Sequence, residues 1–165
     1  MPTSLWDHKY YTPVGDSNAA GASQVGTFIY NPGDNDIVVK FNRGEGSSES
    51  SGQFTVPSKS TELHATMDHS DQMTGYEYYT DDPADVFFGV VVVDTQSSWQ
   101  AFDWGHTLVP ENQLSSQVIV GDGRRCLDPT ASSCDTSSQS RNYVYLTPVA
   151  DAKIWVDYDS DGSRK

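Results

Sequence analysis

A chain of 165 residues has the size of one domain, and its ten basic against twenty-three acidic side chains leave a net charge of −13. That charge repels a phosphate backbone and anionic lipid headgroups, so nucleic acid is not an expected partner. No apolar run approaches the ~20 residues of a membrane-spanning helix, so membrane insertion is not expected either.

The apolar residues include many Val, Ile, Phe, Tyr and Trp, which suit a pleated, half-buried surface. Candidate strands are short and punctuated. Ser23–Tyr30 and Asp36–Asn42 flank Asn31-Pro-Gly-Asp-Asn, a turn-forming cluster, and read as a hairpin. Arg43–Ser51 is a Gly- and Ser-rich connection, Gln53–Val56 and Thr61–Thr66 follow around Pro57-Ser-Lys-Ser, and Tyr76–Thr80 leads to an acidic turn. Val86–Val93 is a continuous apolar run, too short for a typical helix and rich in β-branched residues, and reads as a central strand. Trp99–Trp104 is its expected hairpin partner. Glu111–Ser116 fits one helical turn, Gln117–Val120 resumes an extended pattern, and Tyr143–Thr147 and Lys153–Tyr158 are the last expected strands.

About ten short strands without a long amphipathic segment indicate an all-β fold, an antiparallel β-sandwich or jelly roll. Met1-Pro-Thr-Ser lacks the basic start and apolar stretch of a signal peptide, and the end at Asp161-Gly-Ser-Arg-Lys165 is abrupt. Residues 1–165 therefore read as one module excised from a larger multidomain protein. Cys126 and Cys134 bracket a short loop of turn formers, where a disulfide would close in an oxidising compartment; free thiols or half a metal site are the alternatives.

The stretch from Phe102-Asp-Trp-Gly-His-Thr-Leu-Val-Pro110 through Gln117-Val-Ile-Val-Gly121 to Tyr145-Leu-Thr-Pro-Val-Ala-Asp151 and Trp155-Val-Asp-Tyr-Asp-Ser-Asp-Gly162 carries a family resemblance. It resembles a β-rich domain of very large bacterial surface and secreted proteins, of the kind described as IgGFc-binding-like or adhesin-like. The resemblance runs from about Trp6 to the end. It implies an extracellular or cell-surface setting among other modules, with calcium-associated repeats as frequent neighbours, and no catalytic residues. The loop Arg124-Arg-Cys-Leu-Asp-Pro-Thr130 departs from the pattern, which has a more variable Gly-rich loop there.

Asp157, Asp159 and Asp161, followed by Gly162, match the opening of a calcium loop, in which alternate carboxylates converge on a hard cation. The bidentate Glu of a full loop would fall beyond Lys165, so calcium competes here with a solvated acidic tail. His64, Asp68 and His69 fit no metal-ligand spacing and read as ordinary surface residues. His106, near Asp103, reads as a structural partner, and Lys40 as a strand-edge lysine with its amine in water. Among the aromatics, Tyr76, Tyr78 and Trp99 are the expected surface candidates for stacking on a sugar, while Phe102, Trp104 and Trp155 are expected in the core.

No Gly-x-Ser-x-Gly, His-Glu-x-x-His or phosphate-cradling loop is present. The expected function is that of a non-catalytic extracellular module, structural or adhesive, meeting a glycan or protein on a surface, with a monomer favoured. A carbohydrate-binding module of a secreted polysaccharide-degrading enzyme is the alternative, and a small hydrolase using two carboxylates comes third.

Overall fold

A strand with alternating side-chain character has one face to bury, and short strands of that kind need a second sheet to bury it against. The computed structural model describes residues 6–13, 24–43, 50–66, 75–94, 104–118, 146 and 148–155. Among them are nine strands: β1 (Lys9–Pro13), β2 (Gln24–Tyr30), β3 (Ile37–Arg43), β4 (Ser50–Val56), β5 (Thr61–Thr66), β6 (Gly75–Tyr79), β7 (Phe88–Asp94), β8 (Trp104–Thr107) and β9 (Val109–Pro110). A 3₁₀ turn, Glu111–Gln113, follows β9 where the sequence suggested a helical turn.

The strands form a five-stranded sheet, β4-β3-β6-β1-β9, and a four-stranded sheet, β5-β2-β7-β8. Every pairing is antiparallel, so the protein is the all-β antiparallel sandwich its sequence indicates. Val39, Val56, Tyr10, Tyr76 and Tyr78 from the first sheet meet Ile29 and Val91 from the second in one buried cluster with Ile37, Phe87 and Leu108. β7 is an inner strand, as its apolar run implies, and its antiparallel partner β8 pairs over Trp104–Thr107. Gly89 on β7 leaves room for Leu108: a Cβ there would collide with the buried Leu108 side chain, whose amide donates to the Gly89 carbonyl at 3.0 Å.

One expected hairpin is corrected. β2 and β3 do not pair; they lie in different sheets, and the turn between them is an arch across the sandwich. Asn31 decides this. Its side chain is fully buried, donates to the carbonyls of Asn35 and Val56 at 2.8 and 3.0 Å, and accepts from Gly33 N at 2.8 Å. Its own amide donates to Ser60 O at 2.9 Å. The Asn31–Asp36 loop is thereby bonded to the adjacent β4–β5 corner, which also changes sheets. Lys59 completes this corner from a left-handed φ of 55°, reaching Pro32 O at 2.6 Å and Asp34 at 2.9 Å.

Lys153–Trp155, expected to open the last strand, is not in a strand, and Trp155 is about half exposed rather than in the core. Its ring instead lies under the Lys153 ammonium, 4.2 Å from the centroid. Gln117 and Val118 likewise lie outside any strand.

Candidate functional site

The outer face of the five-stranded sheet gathers the largest polar constellation among the described residues. Strand register places it: Lys9 on β1 lies opposite Tyr79 on β6, Tyr11 opposite Glu77, and on the other side of β6 Lys40 and Asn42 of β3 lie opposite Tyr79 and Glu77. Because side chains alternate along a strand, Lys9, Tyr11, Lys40, Asn42, Glu77 and Tyr79 all emerge on one side.

Glu77 is the hub. Its carboxylate accepts from Lys9 Nζ at 2.9 Å, Asn42 Nδ2 at 2.7 Å and the Tyr11 hydroxyl at 3.2 Å. Glu111, on the 3₁₀ turn, adds a second carboxylate 3.2 Å from Lys9. Burial pushes the Glu77 carboxyl up, but the hydrogen bonds from Lys9 and Asn42 outweigh it and hold the group below its ordinary value. Glu77, Tyr11 and Glu111 in turn hold the Lys9 ammonium well above the usual lysine range. Lys9 also lies over the Tyr11 ring, 5.5 Å from its centroid. Lys40 pairs with the exposed Asp81 at 2.6 Å, in keeping with a surface lysine.

Inside the sandwich, two histidines bridge the sheets. His64 of β5 points inward, its Nδ1 2.9 Å from the Tyr78 hydroxyl, which donates to Thr27 Oγ1 at 3.2 Å. It stacks on Phe54, with ring centroids 5.4 Å apart, and lies 4.3 Å from Phe41. His106 of β8 lies with Nε2 3.0 Å from Oγ1 of the buried Thr12. Burial lowers the affinity of both imidazoles for a second proton. His64 is therefore a half-buried, inward-facing residue, not the surface residue its sequence context suggested, and His106 has the structural setting expected of it.

The expected aromatic platform is corrected. Tyr76 and Tyr78 are 6% and 0% exposed and stack on each other in the core at 5.6 Å. The reading of β6 as a strand is right and its phase is inverted: Glu77, between the two tyrosines, faces water, so its neighbours face the core and Tyr79 faces out. A carboxylate in an aromatic strand was the available signal, since an unpaired acid is costly to bury. Tyr11 had only its place in the aromatic-rich start of the chain to mark it. Trp99, Phe102, the Cys126–Cys134 pair, Asp68, His69 and the acidic turn Asp157, Asp159 and Asp161 lie outside the described residues; Trp104 opens β8.

Among the described residues no group of three or more His, Cys, Asp or Glu side chains is placed to hold a metal ion. A hollow of about 190 Å³ bounded by Tyr10, Leu108, Val109 and Pro110 is smaller than the roughly 300–1,000 Å³ of small-molecule pockets.

No family model matches the chain, and no curated protein sequence matches it. Among solved structures it is similar to Thermotoga maritima 1070, with 10% sequence identity and a TM-score of 0.49 over 65% of this chain and 97% of that one.

Proposed function

We propose that the protein is a non-catalytic extracellular module of a bacterial surface protein, structural or adhesive, and that it meets its ligand through the outer face of the five-stranded sheet. The observation that carries this reading is the Glu77 hub, which holds Lys9, Tyr11 and Asn42 in one connected set. Groups fixed on strands lose little freedom on binding, and sites built on strands are more rigid than sites on loops. Sequence resemblance to domains of bacterial surface proteins supports the setting.

A carbohydrate ligand is favoured by a specific feature of the same face. Tyr11 and Tyr79 occupy diagonal positions on paired strands, roughly 7–8 Å apart, beside hydrogen-bonding groups suited to hydroxyls. Lys9 and Lys40 are already paired with carboxylates, and the net charge of −13 opposes an anionic ligand. A neutral glycan fits better.

Glycan-array binding of the purified chain, followed by titration of the best ligand, tests the reading. Tyr11→Ala with Tyr79→Ala should weaken binding by roughly 30-fold, the loss typical of an aromatic anchor, with an unchanged circular dichroism spectrum. Absence of any glycan or cell-surface ligand, or a double variant that binds like the parent, refutes it. Turnover of a bound polymer would replace it with an enzyme.

A further inference from the structure

We propose, resting on the reading of the polar face as the ligand site, that Glu77 is a proton-operated switch for that site. Protonating Glu77 turns the Asn42 amide over and passes Lys9 to Glu111, so that ligand is held above this titration and released below it.

Donors and acceptors on the hub carry this. An ionised carboxylate only accepts, and three donors are seated on Glu77: Lys9 Nζ on Oε1 at 2.9 Å, the Tyr11 hydroxyl on Oε1 at 3.2 Å and Asn42 Nδ2 on Oε2 at 2.7 Å. With its NH2 group turned to the carboxylate, Asn42 presents its Oδ1 acceptor away from the hub. A proton on Oε2 makes that oxygen a donor facing a donor. The contact is restored when the amide turns over and accepts through Oδ1, which leaves the NH2 group outermost. The same proton removes the charge that Lys9 neutralises. Lys9 already has a second carboxylate in reach, Glu111 at 3.2 Å, and moves to it without losing its ion pair. A face that offered an acceptor beside a fixed lysine then offers a donor beside a displaced one.

The charged and titratable groups around the hub, among the described residues, come from four elements. β1 brings Lys9 and Tyr11, and the 3₁₀ turn brings Glu111; β3 brings Lys40, engaged by Asp81 at 2.6 Å, and β6 itself carries Tyr79 beyond Glu77. Burial raises the Glu77 carboxyl, but the bonds from Lys9 and Asn42 outweigh it and keep the group below its ordinary value of 4.5. The face is therefore in its holding state at neutral pH, and release belongs to acid below 4.5. The change is confined to side chains, because Tyr76 and Tyr78 on either side of Glu77 point into the core.

Two-dimensional NMR of the full chain between pH 7 and pH 3 reads the switch without a ligand. The Glu77 carboxyl, the Asn42 side-chain amide and the Tyr11 ring should change together in one step with its midpoint below 4.5, while the amides of the buried Ile29 and Val39 keep their native shifts. Lys9→Gln should move the midpoint up and Glu111→Gln should move it down, because the first removes a neighbouring positive charge and the second a negative one. Glu77→Gln should abolish the step. A glycan array probed at pH 7 and pH 3 reads the consequence. Neutral glycans bound at pH 7 should be held about tenfold more weakly at pH 3, the loss typical of a bond to a charged group, and Glu77→Gln should bind them as weakly at both. Asn42 and Tyr11 signals that do not follow Glu77, a midpoint that the charge variants leave in place, or core amides that shift in the same step overturn the switch. So does a Glu77→Gln chain that keeps the parent's loss of binding in acid. An array empty at pH 7 refutes instead the ligand reading of the face, while the NMR step still decides the switch.

Discussion

On the outer face of the five-stranded sheet, alternate positions carry Lys9, Tyr11, Lys40, Asn42, Glu77 and Tyr79; on the four-stranded sheet they carry Phe28, Tyr30, Leu63, Val90 and Val92. Both sheets use the same inward chemistry, aliphatic and aromatic residues closing one core. The inner faces of a sandwich are constrained by packing against each other, whereas the outer faces answer only to water or to a partner. A polar, internally bonded face and one on which Phe28, Tyr30, Leu63, Val90 and Val92 are apolar or aromatic, on the same fold, therefore record two different demands from outside.

The most disruptive way to test that division lies on one strand. Ile29 is fully buried and Phe28, its neighbour on β2, faces out. Ile29→Ala should cost about 2–5 kcal/mol in chemical denaturation, the range for truncating a packed aliphatic. Phe28→Ala in dilute, monomeric protein should cost much less although it removes more atoms. Equal costs would mean that the apolar face is already covered within the monomer.

Between the faces, the half-buried His64 and His106 make stability depend on pH. Burial lowers both below the ordinary value of 6.5, so the unfolded chain binds protons that the folded chain does not. Stability from this source is complete above about pH 6.5 and is lost progressively as pH falls through the unfolded pKa towards the folded ones. Melting temperatures measured from pH 8 to pH 5 should show this fall. His64→Phe, which keeps an aromatic ring beside Phe41 and Phe54, should flatten it; an unchanged slope would show that His64 is not shielded from water.

The smallest effect is expected on the polar face. Glu77 is held below its ordinary value of 4.5 in the folded state, so its contribution is present above that pH and lost as pH falls through the folded pKa. Partly exposed ion pairs are worth little, and Glu77→Gln should cost about 0.5–1 kcal/mol near neutrality, less in high salt. Chemical denaturation at two salt concentrations measures it. A cost as large as that of Ile29→Ala would make the hub a structural element of the fold and weaken its assignment to ligand binding.

Much of the candidate site was hidden for a definable reason. Strand periodicity announces that Tyr76 and Tyr78 share a face but not which one, and a one-residue change of phase exchanges core for surface. Only Glu77 between them carried that information. Lys9 and Asn42 could not be joined to Glu77 from the sequence, because β1 and β3 flank β6 through contacts far apart along the chain.

Local chemistry was enough for the class of structure. Short β-rich segments separated by Gly, Pro, Asn and Asp allow little besides antiparallel sheets, and the run Val86–Val93 marks an inner strand because its side chains suit burial on either face. The excess of carboxylates likewise determined which partners the field repels. Tertiary structure decided which strands pair and which way they face. A turn cluster such as Asn31-Pro-Gly-Asp-Asn can close a hairpin or arch between sheets, and the choice rests on the Asn31 bonds to Val56 and Ser60, some 25 or more residues away. Such bonds exist only once both sheets are assembled, so no stretch of sequence read alone contains them.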